Sequence, residues 1–300
     1  MCELDFTIID GRIKYAFGVA FICIGIAAVC GNIIALVSIF KSTRTNRSDI
    51  LLISLASNDL IIGLLICPFL GIEQFLNYYP DVCNFQAPGV SSLFCITSLN
   101  VALIAFYKCF ILARETTEED FLSMKTLVFC VVGSWLLPPM VTSISYFFLL
   151  KVFVSIINSI FIITLLVMLV CYALIILYIK RTKQSLKNFQ NTKINASQQT
   201  LSLQMKAARK VTVLVLCYVV CFLPIVACIL INLFYVDGTK VRTETLETIF
   251  LFADFISCFN AFLNPWIYTT IFKNLKRSTK YRLIKEDHKR RKNYGAVLGQ

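Results

Sequence analysis

Seven long runs of apolar residues, separated by short polar segments, follow one another along the chain. Each run is long enough to cross the hydrocarbon core of a bilayer, about 30 Å thick, as an α-helix. We place the helices at residues 16–40, 50–75, 82–112, 127–149, 152–179, 211–235 and 245–271. The pattern therefore predicts an all-α membrane protein, a seven-transmembrane helix bundle.

The segments outside the bundle are short. We assign residues 1–15 to an acidic N-terminal segment, residues 16–271 to the bundle and residues 272–300 to the segment after it. The last segment spaces Phe and Leu among many basic residues, which predicts a short amphipathic eighth helix on the inner membrane surface, followed by a tail. The chain is thus predicted to be a single domain.

The last apolar run carries polar residues every three or four positions, at Asp254, Ser257, Asn260, Asn264 and Tyr268. This spacing puts them on one face of a helix. Polar groups inside a membrane face the bundle interior or water, so we expect this helix to line a polar cavity and to bend at Pro265. The simpler alternative is a proline kink whose freed backbone groups are satisfied by local polar side chains.

A carboxylate, Asp59, lies deep in the second apolar run. A buried carboxylate needs a cation, a proton or amide partners, so we interpret it as functional. Candidate companions are Asn58, Thr97, Asn260 and Asn264.

The composition agrees with a membrane protein, at 58% hydrophobic and 15% charged residues. With the N-terminus outside, only five of the 29 Lys and Arg residues fall on the outer side: Arg12, Lys14, Lys151, Lys240 and Arg242. The positive-inside rule therefore predicts an extracellular N-terminus and a cytoplasmic C-terminus. The net charge of +12 lies mostly at the inner face and indicates anionic lipids or an acidic partner, not nucleic acid.

Most of the 13 cysteines lie within apolar runs, where they behave as small hydrophobic residues. Cys2 and Cys83 are clearly near the outer, oxidising side, so one disulfide between them is a candidate. The chain has one histidine, His288, and no clustered metal ligands. We therefore expect no zinc site, no nucleophile–base catalytic pair and no enzymatic activity.

Several short motifs appear in order along the helices: Gly31-Asn32, Leu55-Ala56-x-x-Asp59, Trp135, Phe161 through Tyr172, Cys221-Phe222-Leu223-Pro224 and Asn264-Pro265-x-x-Tyr268. Together they resemble the rhodopsin-like (class A) G-protein-coupled receptors over nearly the whole chain. The resemblance implies a plasma-membrane receptor that binds an extracellular ligand within the bundle and activates a heterotrimeric G protein at its cytoplasmic face.

The resemblance also implies roles for particular residues. Asp59, Thr97, Asn260 and Asn264 would form the family's sodium and water pocket, and this allosteric sodium would be the only bound ion or cofactor. Four residues would rearrange on activation: Asn264, Pro265, Tyr268 and Tyr172. Pro224 would be the pivot for an outward swing of the sixth helix.

The chain departs from the family pattern at the inner end of the third helix, which reads Tyr107-Lys108-Cys109 in place of Asp-Arg-Tyr. Lysine keeps the positive charge but loses the planar donor fork of arginine. We expect either raised basal activity or a signalling-silent receptor. The basic residues nearest the predicted G-protein entrance are Lys108, Lys206, Arg209 and Lys210.

Two further departures affect the core, where Phe222 replaces a tryptophan and Thr164 replaces a proline of the family. The missing proline and a cysteine-free outer loop before the fifth helix resemble the melanocortin branch, although the acidic calcium-site residues of that branch are absent. Val90 stands where amine receptors carry an aspartate, and Cys258 stands near the retinal lysine of opsins. Neither an aminergic receptor nor an opsin is therefore favoured.

For the ligand, we predict that Asp254 contacts a cationic group, because an unpaired carboxylate is costly there. The predicted pocket also contains Glu73, Gln86, Val90, Phe222, Ile225 and Phe250. An internal bond from Asp254 to the second helix is the alternative, and the ligand class stays open among peptide, lipid and small metabolite. The competing function is a polytopic transporter or channel with ion sites at Asp59 and Asp254.

Overall fold

Seven helices account for nearly all of the residues that the computed structural model describes, which are 9–41, 47–76, 80–114, 123–148, 150–188, 212–228, 230–231 and 248–267. In chain order they are α1 (Gly11–Phe40), α2 (Arg47–Glu73), α3 (Pro80–Arg114), α4 (Met124–Phe148), α5 (Leu150–Asn188), α6 (Thr212–Cys228) and α7 (Thr248–Ile267). Six of them are long and apolar enough to cross a membrane, and α6 is shorter within the described residues. The predicted seven-helix bundle is confirmed.

The helix boundaries differ from the predicted ones by a few residues. Helix α1 begins five residues before the predicted start because Asp10 caps it, with its Oδ1 accepting from the Arg12 backbone N–H at 2.8 Å. Helix α5 continues nine residues past the predicted end, to Asn188. The apolar run marked only the membrane-spanning part of this helix. The predicted eighth helix lies outside the described residues.

The bundle has apolar side chains outside and polar side chains inside. Large apolar side chains project outward from several helices, including Ile34 at 60%, Phe129 at 78% and Leu166 at 57% exposure. Many interior side chains are amides or hydroxyls that are fully buried, among them Asn32, Asn58, Thr97, Ser98, Asn100 and Asn264. This arrangement suits a lipid environment, because lipid tails accept apolar surface and polar groups must find partners within the protein.

Helix α3 lies at the centre of the first five helices and packs against α2, α4 and α5. Helix α1 packs along α2. Helix α5 begins at Leu150, two residues after α4 ends at Phe148, so these helices are joined almost directly. Helix α7 is hydrogen-bonded to both α1 and α2, and α6 is hydrogen-bonded to α3.

Two glycine pairs let α1 and α2 approach closely. A Cβ atom on Gly25 would lie 2.9 Å from both the Gly63 carbonyl oxygen and the Cys67 Cβ, and one on Gly63 would lie 3.0 Å from the Gly25 carbonyl oxygen. Gly18 and Gly71 face each other in the same reciprocal way, at 3.0 and 2.8 Å. Small residues at such contacts are a common means of packing helices in membranes.

Helix α2 contains a π-helical turn, Ile62–Ile66, directly before Pro68. A proline ring clashes with the carbonyl four residues earlier in a regular α-helix and cannot donate to it. The wider π-turn accommodates Pro68 without ending the helix. The turn also contains Gly63, so the distortion lies at one of the two close glycine contacts with α1.

We predict that Gly25→Leu destabilises the protein by about 1–3 kcal/mol, because the side chain would overlap backbone and Cβ atoms of α2. The measurement is the thermal unfolding midpoint of purified protein in detergent. Gly133→Leu in α4 is the matched control, since nothing lies within 4 Å of a Cβ there. Equal midpoints for the two variants would contradict the close α1–α2 contact.

Candidate functional site

The centre of the polar interior is a direct bond between α2 and α7. The Asn264 Nδ2 donates to the Asp59 Oδ2 at 2.8 Å, and both side chains are fully buried. The sequence placed Asp59 and the polar stripe of α7 in the interior, and the structure joins them. Ser257 and Asn260, on the same stripe, are also buried, at 2% and 1% exposure.

Thr97, the predicted companion on α3, contacts the neighbour of Asp59. Its Oγ1 accepts from the Asn58 Nδ2 at 2.7 Å and donates to the Leu93 carbonyl at 3.1 Å. The same Asn58 amide also donates to the Leu93 carbonyl, at 3.1 Å. Asn58 thereby fixes α2 against α3 and leaves Asp59 directed toward α7.

Helix α1 joins the polar interior through Asn32. Its Nδ2 donates to the Ala28 carbonyl of its own helix at 2.9 Å and to the Ala261 carbonyl of α7 at 3.0 Å. One residue earlier, a Cβ on Gly31 would lie 3.1 Å from the ring of Pro265, which is buried in α7. The Gly31-Asn32 motif thus docks α1 onto the part of α7 that contains Asn264-Pro265.

Several buried oxygens around this bond have no hydrogen-bond partner among the described residues: Oδ1 of Asn32, Asn58, Asp59, Asn260 and Asn264. All are acceptors, and Asn58 and Asp59 are adjacent while Asn260 lies one turn before Asn264. Carboxylate and amide oxygens are the ligands that hard cations prefer. These oxygen atoms are therefore suitable ligands for a sodium ion bound at Asp59. Elsewhere, among the residues that the structure describes, no three His, Cys, Asp or Glu side chains are grouped to hold a metal.

A second polar network lies one turn along α2. The Trp135 Nε1–H of α4 donates to the Ser54 Oγ at 2.8 Å, and the Ser54 hydroxyl donates to the Asn100 Oδ1 of α3 at 2.9 Å. Sequence analysis identified Trp135 but missed Ser54 and Asn100. Ser54 precedes Asn58 by four residues, and this helical spacing of polar residues in an apolar run was the available signal.

The residues predicted to form the apolar wall of the ligand pocket are packed in the hydrophobic core. Phe222 lies within an aromatic cluster, edge-on to Phe94 at 5.5 Å, tilted against Phe161 at 5.8 Å and stacked on Tyr218 at 4.4 Å between ring centroids. Two further predicted wall residues, Ile225 and Phe250, are 2% and 3% exposed. Val90 is half-buried against the same core.

Asp254 is half-buried in the first half of α7, on the polar stripe that contains Asn264. The negative charge of Glu73, at the end of α2, acts on it, and its own charge acts on Cys228 of α6. Asp254 therefore lies where α2, α6 and α7 meet. The carboxyl groups of Asp254 and Glu73 are thus close enough at this junction to interact.

Near the C-terminal end of α3, Tyr107 is buried at 1% exposure and Lys108 is half-buried. The Lys108 ammonium lies 5.6 Å from the Tyr107 ring centroid. The predicted activation residues Tyr172 and Pro224 are half-buried in α5 and α6. Other predicted site residues lie outside the described part of the chain, namely Cys2, Lys206, Arg209, Lys210 and Tyr268, as do the side chains of Cys83 and Gln86.

The apolar exterior and polar interior of this bundle define the class of protein, a polytopic helical membrane protein. Residues 150–268, which cover α5, α6 and α7, match the family described as 7 transmembrane receptor (rhodopsin family). This part of the chain is therefore similar to the rhodopsin-like (class A) family of G-protein-coupled receptors. Among curated proteins none matches the chain significantly. The helices that are long and apolar enough to cross a membrane agree with a multi-pass membrane protein.

Proposed function

We propose that the protein binds an extracellular ligand in the outer part of the bundle and activates a heterotrimeric G protein at the inner face. The observation that carries this proposal is the buried Asp59–Asn264 bond between α2 and α7, surrounded by unpartnered acceptor oxygens. An ionisable side chain in the membrane interior is costly to bury, and such residues mark functional sites by default. The Asp59–Asn264 bond links α7, the helix that carries Asp254, to the centre of the bundle.

The direct test is guanine-nucleotide exchange on purified heterotrimeric G proteins by the receptor in lipid vesicles, combined with a ligand screen. Exchange that depends on the receptor supports the proposal. Ion or solute flux across the same vesicles without nucleotide exchange would favour a transporter or channel instead. No exchange with any G protein, basal or stimulated, would leave a signalling-silent receptor.

The membrane orientation that this proposal requires is predicted from the distribution of Lys and Arg along the chain. In the predicted topology, most Lys and Arg residues fall in the segments on one side of the membrane, which the positive-inside rule assigns to the cytoplasm. The N-terminus is then extracellular, Asp254 lies toward the ligand side, and Lys108 lies toward the G protein. The basic inner face suits contacts with anionic lipid headgroups and with an acidic surface of the transducer.

We expect Asp59→Asn to abolish stabilisation by sodium. The asparagine can still accept the bond from Asn264, so the fold is kept while the charge is removed. Sodium at about ten times its Kd should stabilise the wild type by about 1.4 kcal/mol and leave the variant unchanged. The measurement is the thermal unfolding midpoint in sodium against potassium chloride at matched ionic strength.

The matched control for this experiment is Asp10→Asn, because asparagine caps a helix as well as aspartate does. It should keep the sodium response of the wild type. A sodium response that survives in Asp59→Asn would contradict the assignment of Asp59 as the ion site.

We predict that Asp254→Asn weakens agonists that carry a cationic group by about 10- to 100-fold, the range for losing a charged hydrogen bond. The readout is agonist potency in nucleotide exchange at equal surface expression. Agonists without a positive charge should lose little and serve as the control. Unchanged potency for cationic agonists would indicate that Asp254 bonds internally to α2.

We predict that Lys108→Ala lowers agonist-stimulated exchange and that Lys108→Arg maintains or raises it, because arginine restores a planar donor fork at the same charge. Lys125→Ala, which removes an exposed lysine at the start of α4, is the control. Rates are compared at matched receptor concentration. Wild-type exchange by Lys108→Ala would exclude this lysine from transducer contact.

A further inference from the structure

Asn158 of α5 is a buried amide that lacks a partner among the residues that the structure describes. It is 4% exposed, and neither its Nδ2 nor its Oδ1 is hydrogen-bonded. Four other buried asparagines of the bundle each make a side-chain hydrogen bond to another helix: Asn32, Asn58, Asn100 and Asn264. An amide offers two N–H donors and an acceptor oxygen, so the hydrogen-bonding capacity of Asn158 is wholly unused.

This unpaired amide is costly to the fold, because each buried donor or acceptor has lost water without gaining a partner. Polar side chains in a helix often return a bond to the carbonyl four residues earlier. Ser159 does so to the Ser155 carbonyl at 2.8 Å, and Asn32 does so to the Ala28 carbonyl at 2.9 Å. Asn158 makes no such bond within the described part of the chain. Its amide is therefore available to a group from outside its own helix.

Asn158 lies at the level of the predicted ligand pocket. It follows the first residue of α5, Leu150, by about 12 Å along the helix. The same face of α5 carries Phe161, whose ring centroid lies 5.8 Å from that of Phe222 in α6. In the predicted topology α5 and α6 cross the membrane in opposite directions, so three residues before Phe161 and three residues after Phe222 are at the same depth. The amide is thus level with Ile225, a predicted wall residue of the pocket.

The chemistry of the amide and of its surroundings restricts the group that it can recognise. Phe222 and Ile225 are each 2% exposed, and such apolar surroundings favour a neutral partner over a charged one. A primary amide can accept one hydrogen bond and donate another at the same time. In an extended peptide the N–H and the C=O of one residue point to the same side, as they do in the paired residues of a β-ladder. One extended peptide residue therefore matches both halves of the Asn158 amide.

We propose that Asn158 is a specificity-determining residue of the ligand site and that it recognises the backbone of an extended peptide. Its Oδ1 accepts from the N–H of one ligand residue, and its Nδ2 donates to the C=O of the same residue. The proposal rests on the proposed function, because it names the ligand class for that site. Together with the predicted contact between Asp254 and a cationic group, it indicates a peptide that contains a basic residue.

The first test is the stability of Asn158→Leu, which replaces the amide by an apolar side chain of similar size. Because the change removes an unpaired polar group from the core, the thermal unfolding midpoint in detergent should rise by about 2–4 °C. Asn100→Leu is the matched control, since the Asn100 Oδ1 accepts from the Ser54 hydroxyl at 2.9 Å and loss of that bond should lower the midpoint. A fall in Asn158→Leu like that of the control would show that the amide is already paired, by protein or by water, and would overturn the proposal.

The second test compares two probes, N-acetyl-lysine-N-methylamide and the analogue in which an ester oxygen replaces the lysine N–H. Their affinities are measured by ligand-observed NMR titration of the protein in lipid nanodiscs. The ester should bind the wild type about two- to tenfold more weakly, the factor for one lost hydrogen bond. Asn158→Leu should bind the two probes equally, because the partner of the N–H is gone.

Two outcomes of the probe comparison would overturn the proposal. One is an equal preference for the amide probe in wild type and Asn158→Leu, which would place the N–H contact on another residue. The other is no binding of the amide probe to the wild type. Neither readout uses nucleotide exchange. A protein that behaves as expected in both tests but activates no G protein would support peptide recognition and refute the proposed function instead.

Discussion

The interior of this bundle depends on one constraint, that a polar group inside a bilayer must find its partner within the protein. The constraint is most severe for Asp59, which is a carboxylate with no exposed surface. Asn264 supplies a donor from the opposite helix, and this bond fixes α7 against α2. The other amide bonds have the same physical basis, with Asn32 tying α1 to α7 and Asn58 tying α2 to α3.

Helix α6 is held differently from α1, α2, α3 and α7. Those helices are joined by amide bonds whose loss would leave buried polar atoms unsatisfied. Helix α6 is held by stacked rings and by the hydroxyl of Tyr218, whose partner Ser98 has an acceptor in its own helix. The described residues therefore combine helices joined by amide bonds that are costly to break with a helix whose polar contacts are lost at lower cost.

Close packing also holds α1 against α2 without any polar group. Gly25 and Gly63 bring the two backbones together, and the π-turn before Pro68 falls at the same place. Dispersion over a close backbone contact replaces the hydrophobic effect, which does not act between helices surrounded by lipid. The junction where Asp254 and Glu73 interact lies at the end of α2, beyond these glycine contacts.

The sequence by itself determined the class of fold, because runs of about 20 apolar residues in lipid can only be spanning helices. It also determined that Asp59 and the polar stripe of α7 face inward, since helical periodicity and the cost of polar groups in lipid are local properties. Only the tertiary structure decided which groups meet. Asn264 is hydrogen-bonded to Asp59, whereas Thr97 is hydrogen-bonded to Asn58. Phe222 is packed within the hydrophobic core. Ser54, Asn100, Ser98 and Tyr218 carry no local signal strong enough to mark them, because their roles come from partners on other helices.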